Sequence, residues 1–512
     1  MSSGRQIGSR LEGPRLELEA TPLHDLLDRA AGSHGARPWL SEGETILSYS
    51  EGVAAVAAMA SRLAQLGISR GDRVAVLMPN SIAFAIIAFA CWRQDFILVG
   101  LNHIYSDEML AQLVDDARPA ILVTSDLGDL PVRARTLTEQ SGTNLLVVDA
   151  TARLLQRQGF DVTIASAPDP SLAALQYTGG TTGLPKGAML SHRNISICVA
   201  QICEGMRDFR EAREKFIALG PFSHVIGTTL TLALATALAA EIVIPERFDA
   251  EKTTEFILDQ EITTIFAVPT IFAAIAKSRA AKKGDWSGLT YALCGGAPLA
   301  ANDKTAFEAV TGVRLHQGYG CSETASAAVF TAGTRAVPPG SIGQPIADCS
   351  IEIIGPDGAP LQPGETGEIV VTGPNVMEGY WQGSLPVIEP ISRSFATGDC
   401  GYIDKGHVFI VDRLKDMIIA SGFNVYPARV ERVVQAHPAI AEVAVVGKPD
   451  PYRGETVKAV AILNPGMTLT LEELQQFAGK RLSPLEMPRI LECVVDLPRT
   501  PIGKVDKKRL RA

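Results

Sequence analysis

YTGGTTGLPKGAMLSH, residues 177–192, is the stretch on which the fold assignment depends. Its first ten residues hold three glycines, three threonines, one proline and one lysine, and an apolar run at 172–175 precedes it. Glycine lets a backbone approach a ligand closely, and threonine hydroxyls, backbone N–H groups and a lysine can surround a phosphate. Because Lys186 precedes Gly187, the order differs from the Gly-Lys-Ser/Thr ending of the common P-loop. The stretch predicts a phosphate-binding loop that follows a buried strand, although alone it also fits a glycine-rich surface loop.

The composition of the whole chain restricts its class. A length of 512 residues predicts two to four domains, and 46% hydrophobic with 20% charged residues is typical of a globular protein with a large core. The net charge of −9 disfavours nonspecific binding to nucleic acid or to a membrane surface. Eight scattered cysteines without a Cys-x-x-Cys pair predict a reducing, cytoplasmic location. The first twenty residues show no secretory signal, and the apolar runs 82–92 and 225–240 predict buried helices rather than membrane spans.

Secondary-structure patterns divide the chain into parts. Alternating strand and helix patterns before residue 335 predict an α/β fold with a mostly parallel sheet, built of stacked α/β subdomains. Dense turn pairs at 335–412 predict a small, antiparallel, barrel-like subdomain. Residues 413–512 read as a small α+β domain, and the charged junction 412–416 suits an exposed hinge. We therefore expect an N-terminal domain over 1–412 and a mobile C-terminal domain over 413–512.

Four further stretches carry polar residues that chemistry could use. Tyr319 offers a flat face for a base, and Glu323 offers a hard oxygen ligand for magnesium, but a structural β-turn would also explain them. Asp399 follows a glycine and can accept from ribose hydroxyls, although an ordinary turn aspartate is the simpler reading. The segment 413–427 and the basic tail 498–508 are weak signals when each is taken alone.

Taken together, these motifs have the order and wording of one family. From about residue 20 to about residue 510 the chain resembles the adenylate-forming superfamily, in particular the acyl-CoA synthetases and coumarate-CoA ligases. The stretches that carry the resemblance are 177–187, 221–224, 295–298, 319–323, 397–399, 413–416 and 503–504.

The resemblance implies a first step in which a carboxylate attacks the α-phosphate of ATP and gives an acyl-adenylate and pyrophosphate. Lys504 would bridge the carboxylate and the α-phosphate, and Thr181 with Glu323 would place Mg²⁺. The residues implied for the phosphates are Thr178, Gly179, Gly180, Thr181, Thr182, Gly183 and Lys186. Those implied for adenine and ribose are Gly295, Gly296, Ala297, Gln317, Gly318, Tyr319, Gly320, Ser322, Asp399 and Arg413.

The second step implied by the resemblance is attack of the thiol of coenzyme A on the acyl-adenylate, with AMP leaving. The small domain would rotate about Lys415 and withdraw Lys504. It would then present Ser421, Gly422 and Phe423 to a pantetheine channel, and the resemblance also implies Asn424 as a cofactor-binding residue. His224 matches the position beside the acyl carboxylate, as a gate or orienter, although a structural histidine remains the alternative.

Two residues depart from the family pattern. Gly180 stands where serine is usual, so one hydroxyl of the phosphate loop is missing. Ile419 stands where many relatives have a basic residue, so the resemblance implies no basic phosphate or coenzyme A contact at this position.

The predicted function is an ATP-dependent acid–CoA ligase for a fatty or aromatic carboxylate, a monomer or homodimer with small-molecule partners and no nucleic acid. The acyl pocket is expected near 224–229, 294–297 and 318–326. Its small or apolar residues predict a neutral pocket, which disfavours dicarboxylates but does not separate alkanoates from aromatic acids: Val225, Ile226, Gly227, Cys294, Gly295, Gly296, Ala325 and Ser326. Enzymes of this superfamily that activate amino acids usually have an aspartate near the position of 222–224 to bind the amine. Its absence here disfavours an amino acid as the substrate. The alternatives are an enzyme that loads carrier-protein phosphopantetheine and a noncatalytic nucleotide-binding homologue.

Overall fold

The computed structural model describes residues 5–7, 9–149, 171–178, 185–206, 209, 211–331, 337–386, 391–421, 423–479, 481–499 and 505–511. The chain divides into two compact units. The first unit comprises Met1–Arg5, Leu11–Ser350 and Val371–Phe395, and the second comprises Gln6–Arg10, Ile351–Val370 and Ala396–Ala512. Within the described ranges, no helix has both the length and the apolar character needed to cross a bilayer.

A six-stranded sheet in the first unit carries the predicted phosphate loop at one edge. Its strands lie in the order Lys186–Ser191, Leu172–Thr178, Ile97–Leu101, Arg73–Leu77, Ile121–Ser125 and Asn144–Val148. The first pair is antiparallel and all other neighbours are parallel. The middle strands are almost continuously apolar and buried, as parallel strands covered on both faces are. The predicted alternation of strand and helix is therefore confirmed.

A nine-stranded sheet in the same unit brings two predicted motifs to one edge. Its order is Gln344–Pro345, Val329–Phe330, Leu315–Tyr319, Tyr291–Cys294, Thr264–Ala267, Lys215–Ile217, Glu241–Ile244, Pro38–Glu42 and Thr45–Ser48. Leu315–Tyr319 and Tyr291–Cys294 are parallel neighbours. Since parallel strands end at the same edge of a sheet, the residues that follow these two strands lie side by side.

The helix Ile82–Arg93 forms the centre of the first unit. The Ser81 hydroxyl caps it by accepting from the Phe84 N–H, and every residue from Ile82 to Arg93 is buried. It packs against Ile97–Leu101 of one sheet and Pro38–Glu42 of the other, so both sheets share its core. The second apolar run forms a buried π-helix, Ile226–Ala233, that continues as Leu234–Ala237. Both runs are therefore buried helices, as predicted.

The other helices of the first unit pack around these sheets. They are Leu23–His34, Tyr49–Gln65, Asp107–Ala117, Leu130–Ser141, His192–Gly205, Ala250–Asp259, Pro269–Lys277, Arg279–Lys283, Ala301–Thr311 and the 3-10 turn Ser322–Thr324.

A further six-stranded sheet corresponds to the turn-rich part of the sequence. Its order is Arg5–Ile7, Arg10–Glu12, Ser350–Ile354, Gly367–Gly373, Arg393–Asp404 and His407–Arg413. Buried and half-buried residues alternate along Gly367–Gly373, as they do in a strand with one covered face. Gly358 and Gly364 take positive φ values of 79° and 89° in the connecting turns. The turn pairs at 355–358 and 363–367 therefore do mark strand connections.

The C-terminal part of the second unit is a small α+β structure. Its sheet has the order Phe423–Val425, Ile418–Ala420, Gly454–Leu463 and Ile440–Asp450, and Ile490–Cys493 pairs with Gly454–Leu463. The helices are Pro427–Gln435, Leu471–Ala478 and Lys507–Arg511, with a 3-10 turn at Leu414–Asp416. One apolar core joins this sheet to the first two helices.

Candidate active site

The two strands that flank the predicted phosphate loop are fixed to each other at the loop. Thr178 pairs with Lys186 across the antiparallel ladder, and the Thr178 hydroxyl donates to the Lys186 carbonyl over 3.4 Å. Lys186 is exposed. Five residues predicted to bind phosphate lie outside the described residues: Gly179, Gly180, Thr181, Thr182 and Gly183.

Two buried side chains set the position of the strand that ends at Thr178. The Tyr177 hydroxyl donates to Asp116 Oδ2 over 2.6 Å, and the Gln176 amide donates to Thr228 Oγ1 over 3.0 Å. Burial, and next the hydrogen bond to Asp116, raise the pKa of Tyr177, which keeps its phenol protonated as the donor. Thr228 lies in the π-helix, so this strand and the segment around His224 are held to one another.

Glu323 lies in the short 3-10 turn that follows Leu315–Tyr319, next to buried Ser322. Its side chain is almost fully enclosed, with the residue 8% exposed. Carboxylate Oε1 accepts from the Tyr380 hydroxyl over 2.7 Å, and the Glu323 carbonyl accepts from the Met377 N–H over 2.8 Å. The ammonium of Lys186 lies over the ring of the same Tyr380, 5.0 Å from its centroid. The structure thus brings Lys186 and Glu323 together through a residue that the sequence analysis did not name.

The donor set around Glu323 fits a magnesium ion that carries phosphate. A carboxylate is the hard oxygen ligand that this ion prefers, and the nearby ammonium of Lys186 suits the phosphate oxygens. Thr181, the other predicted ligand, is outside the described part of the chain.

Glycines line the ends of the two parallel strands, and we call Gly295, Gly296, Gly318 and Gly320 the glycine wall. Cys294 pairs with Gln317, which places Gly295 against Gly318: a Cβ on Gly295 would lie 3.2 Å from the Gly318 carbonyl oxygen. Gly320 is more crowded, because a Cβ there would lie 2.3 Å from the Ser326 carbonyl oxygen. The predicted nucleotide residues 295–297 and 317–320 therefore share one edge, and half-buried Tyr319 is among them.

His224 stands directly before the π-helix and beside this glycine wall. Its Nδ1 accepts from the Ile226 N–H over 3.3 Å, which fixes the ring against its own helix start. The Cδ1 of Ile226 lies 3.4 Å from where a Cβ on Gly296 would stand. The wider turn of a π-helix is frequent at functional sites. The His224 segment is therefore adjacent to Gly296.

Gly227 allows the chain to pass closely at this helix start, and Gly227→Ala is expected to lower stability. A Cβ there would lie 2.0 Å from the Pro221 carbonyl oxygen, so backbone must move. We expect a loss of about 1–3 kcal/mol in the free energy of unfolding, measured by urea denaturation. The matched control is Gly32→Ala in helix Leu23–His34, where a Cβ meets nothing within 4 Å and helix propensity predicts a small gain. Equal stability of the two variants would contradict this account.

In the second unit, Asp399 and Arg413 pair across neighbouring strands. Arg413 Nε lies 3.1 Å from Asp399 Oδ1. The Thr397 hydroxyl accepts from the Asp399 N–H over 3.1 Å and donates to the Ile369 carbonyl over 2.8 Å. These contacts hold the Thr-Gly-Asp turn in a defined position.

Lys415 lies in the 3-10 turn Leu414–Asp416, where the chain leaves the strand His407–Arg413. Its carbonyl accepts from Arg511 Nη2 over 3.1 Å, and the same nitrogen lies 3.4 Å from Asp416 Oδ1. Burial, and next the charge of Arg413, lower the pKa of Lys415. The predicted hinge residue is thus tied to the last helix of the chain.

Phe423 and Asn424 lie in the second strand of the hairpin of Ile418–Ala420 and Phe423–Val425, and Ser421 directly follows the first strand. Ser421 has a positive φ of 54°, and its N–H donates to the Arg453 carbonyl over 2.7 Å. Asn424 is exposed and pairs with Ile419, which is 51% exposed. Gly422 and Lys504 lie outside the described residues.

Family models match most of the chain. Residues 27–381 match the AMP-binding enzyme family, and residues 429–504 match the C-terminal domain of AMP-binding enzymes.

Characterised relatives extend this match. The chain is 35% identical to a long-chain-fatty-acid–CoA ligase of Bacillus subtilis, over 87% of this chain and 86% of that one. It is 34% identical to a feruloyl-CoA synthase of Amycolatopsis sp., over 92% and 94%. Among solved structures, o-succinylbenzoate CoA synthetase from Bacillus subtilis, in complex with an acyl-adenylate intermediate, matches with a TM-score of 0.84 and 27% identity over 97% and 99% of the two chains.

The fold and the family matches define an adenylate-forming ligase. The chain belongs to the AMP-binding enzyme family, which confirms the predicted superfamily, the α/β fold with a large N-terminal and a small C-terminal part, and the AMP-forming acid–thiol ligase class.

Proposed function

We propose that the chain activates a fatty or aromatic monocarboxylate with ATP as its acyl-adenylate and transfers the acyl group to coenzyme A. The observation that carries this proposal is the neutral lining beside His224, where buried Val225 and half-buried Ile226 form the start of the π-helix and Ile226 lies against Gly296. An acid whose only charge is the reacting carboxylate needs no second counter-charge in such a lining, whereas a buried unpaired charge is costly. The relatives named for a long-chain fatty acid and for ferulate support the two substrate types.

The first step joins two anions, the carboxylate and ATP, so the protein must offset their mutual repulsion with positive charge. A carboxylate oxygen bonds to the α-phosphorus of ATP, and the bond from that phosphorus to the pyrophosphate oxygen breaks. Lys186 and the loop after Thr178 would hold the β- and γ-phosphates, and Lys504 would lie between the carboxylate and the α-phosphate. Glu323 and Thr181 would hold magnesium, which would supply positive charge to offset that of the phosphates. Positioning and electrostatic stabilisation of this kind carry most of the catalysis in phosphoryl-type transfers.

Two sets of predicted residues would hold the nucleoside. Tyr319 would stack on adenine, with Gly295, Gly296, Ala297, Gln317, Gly318, Gly320 and Ser322 around it. Asp399 would accept from the ribose hydroxyls, and the 3.1 Å contact with Arg413 Nε would orient its carboxylate.

The second step forms the thioester: the thiol sulfur bonds to the acyl carbon, and AMP leaves with the electron pair of the broken C–O bond. We propose that the predicted domain 413–512 rotates about Lys415 between the steps, withdraws Lys504 and presents Ser421, Gly422 and Phe423 to the pantetheine arm, with Asn424 as a further cofactor-binding residue. Arg511 contacts Lys415 and Asp416, which supports the proposal that the 3-10 turn Leu414–Asp416 moves together with this domain. The oligomeric state and the cytoplasmic location stay predictions.

The test is pyrophosphate release across a panel of carboxylic acids, with and without coenzyme A. The panel contains alkanoates of increasing length, benzoates, hydroxycinnamates and dicarboxylates, and thioesters are identified by mass spectrometry. We expect release with neutral-tailed acids, a coenzyme A thioester as product, and little turnover of dicarboxylates. A second arm replaces coenzyme A with phosphopantetheinylated carrier protein. Pyrophosphate release without a coenzyme A thioester for any acid would contradict the proposal.

A further inference from the structure

Tyr380 touches two residues of the candidate site at once. Its hydroxyl donates to Glu323 Oε1 over 2.7 Å, and its ring lies 5.0 Å below the Lys186 ammonium. The first contact is a hydrogen bond to a carboxylate oxygen, and the second is a cation–π contact. One side chain therefore sets the distance between the carboxylate and the ammonium.

The backbone around Tyr380 is held rigidly against the strand that begins at Lys186. The Met189 N–H donates to the Gly379 carbonyl over 2.9 Å, and the Trp381 N–H donates to the Gly187 carbonyl over 2.8 Å. Ala188 forms a bridge with Tyr380 itself. Residues 378–381 thus extend the six-stranded sheet at its edge, and Tyr380 cannot shift without breaking this ladder.

Side chains on both flanks fix the same segment. The Asn375 amide donates to the carbonyls of Thr324 and Ala327, over 2.9 and 2.6 Å, which ties the segment to the turn that carries Glu323. Trp381 Nε1 donates to the Asp116 carbonyl over 3.0 Å. The segment therefore connects the turn of Glu323 to the strand of Lys186.

The chemistry of the phenol suits a donor rather than a proton carrier. A phenol is a neutral donor at neutral pH, and the 2.7 Å contact with Glu323 Oε1 is one in which the Tyr380 hydroxyl donates. Donation to Oε1 orients the carboxylate and leaves Oε2 for a cation. Partners that orient metal ligands in this way change metal affinity about tenfold to a hundredfold when they are removed.

We propose that Tyr380 is a positioning residue that orients Glu323 toward a divalent cation and holds the Lys186 ammonium beside it, so that both engage the phosphates of one metal–nucleotide complex. This inference rests on the proposed nucleotide chemistry. It does not depend on the acid or on the thiol acceptor.

Two substitutions separate the two contacts. Tyr380→Phe removes the hydroxyl and keeps the ring under Lys186, whereas Tyr380→Leu removes both. Tyr105→Phe, which removes the hydroxyl of another half-buried tyrosine of the first unit, is the control for loss of a hydroxyl. Mn²⁺ affinity is measured by electron paramagnetic resonance on each protein saturated with a nonhydrolysable ATP analogue. Affinity for the analogue without metal is measured by calorimetry.

We expect Tyr380→Phe to weaken Mn²⁺ binding about tenfold to a hundredfold, with metal-free analogue affinity and thermal midpoint unchanged. Tyr380→Leu should also weaken the affinity for the metal-free analogue, because the Lys186 ammonium loses its contact with the Tyr380 ring. In a Glu323→Gln background, Tyr380→Phe should have no further effect on Mn²⁺ affinity. In kinetics, Tyr380→Phe should raise the Mg²⁺ concentration for half-maximal pyrophosphate release rather than the KM for the acid.

The outcomes that would overturn the inference are distinct. Unchanged Mn²⁺ affinity in Tyr380→Phe, or the same loss in the Glu323→Gln background, would mean that Tyr380 does not act through Glu323. If Tyr380→Leu fails to fold, the Tyr380→Phe measurements still decide the matter. The binding experiments contain no acid and no thiol. Their results would therefore still test the role of Tyr380 if the proposed ligase activity were wrong.

Discussion

Lys504→Ala is expected to lower the rate of acyl-adenylate formation by about a hundredfold to a thousandfold, the cost of removing one preorganised charge from a developing anionic centre. The same variant should convert a supplied acyl-adenylate and coenzyme A to thioester at close to the unaltered rate, because Lys504 is withdrawn in that step of the proposed cycle. Single-turnover kinetics of the two half-reactions measure the two rates separately.

The control for this prediction is Lys508→Ala, which removes an exposed lysine from the same C-terminal stretch. It should leave both half-reactions unchanged. Equal losses in both half-reactions for Lys504→Ala would count against a domain that rotates between the steps, since one fixed arrangement would then serve both.

Glu323→Gln is expected to reduce adenylation by about a hundredfold or more, because it removes the negative charge that would hold magnesium while keeping the shape of the side chain. The amide oxygen can still accept from Tyr380, so the fold should be retained. The reduction should diminish as Mg²⁺ is raised, and initial rates of pyrophosphate release at a series of Mg²⁺ concentrations measure this.

Glu44→Gln serves as the matched substitution, because Glu44 is an exposed carboxylate of the same unit. Its Mg²⁺ dependence should equal that of the unaltered protein. If Glu323→Gln showed that same Mg²⁺ dependence too, Glu323 would not be a metal ligand.

Much of the fold could be predicted from local patterns because the strands and central helices are strongly apolar. The run 82–92 is buried on all sides in the helix Ile82–Arg93, and continuous hydrophobicity is the signal of such a position. Turn pairs such as 355–358 likewise marked real strand connections, since Gly358 requires its positive φ there. The order of strands in the two large sheets was not predictable, because a buried parallel strand carries no mark of its neighbour.

The site residues that belong to chemically distinctive motifs could be predicted from the sequence. The residues that only hold those site residues in position could not. Glu323 and Lys186 belong to stretches rich in glycine and hydroxyl residues, which single them out. Tyr380 lies in a stretch, MEGYWQ, whose aromatic residues suit any half-buried turn. Its proposed role depends on contacts with Glu323, 57 positions away in the sequence, and with Lys186, 194 positions away. No local sequence pattern encodes such contacts. The π-helix at Ile226–Ala233 is similar, because a single apolar run does not distinguish it from an ordinary buried helix.

The central claim is that a carboxylate is activated as its acyl-adenylate, and oxygen labelling tests it most directly. An acid that turns over in the panel is prepared with both carboxylate oxygens as ¹⁸O and converted with ATP and coenzyme A in a single turnover. Mass spectrometry then locates the label. The account predicts one ¹⁸O in AMP and none in pyrophosphate, because the attacking carboxylate oxygen stays on the α-phosphorus when the thioester forms. Label in pyrophosphate or in phosphate, or AMP without label, would contradict it.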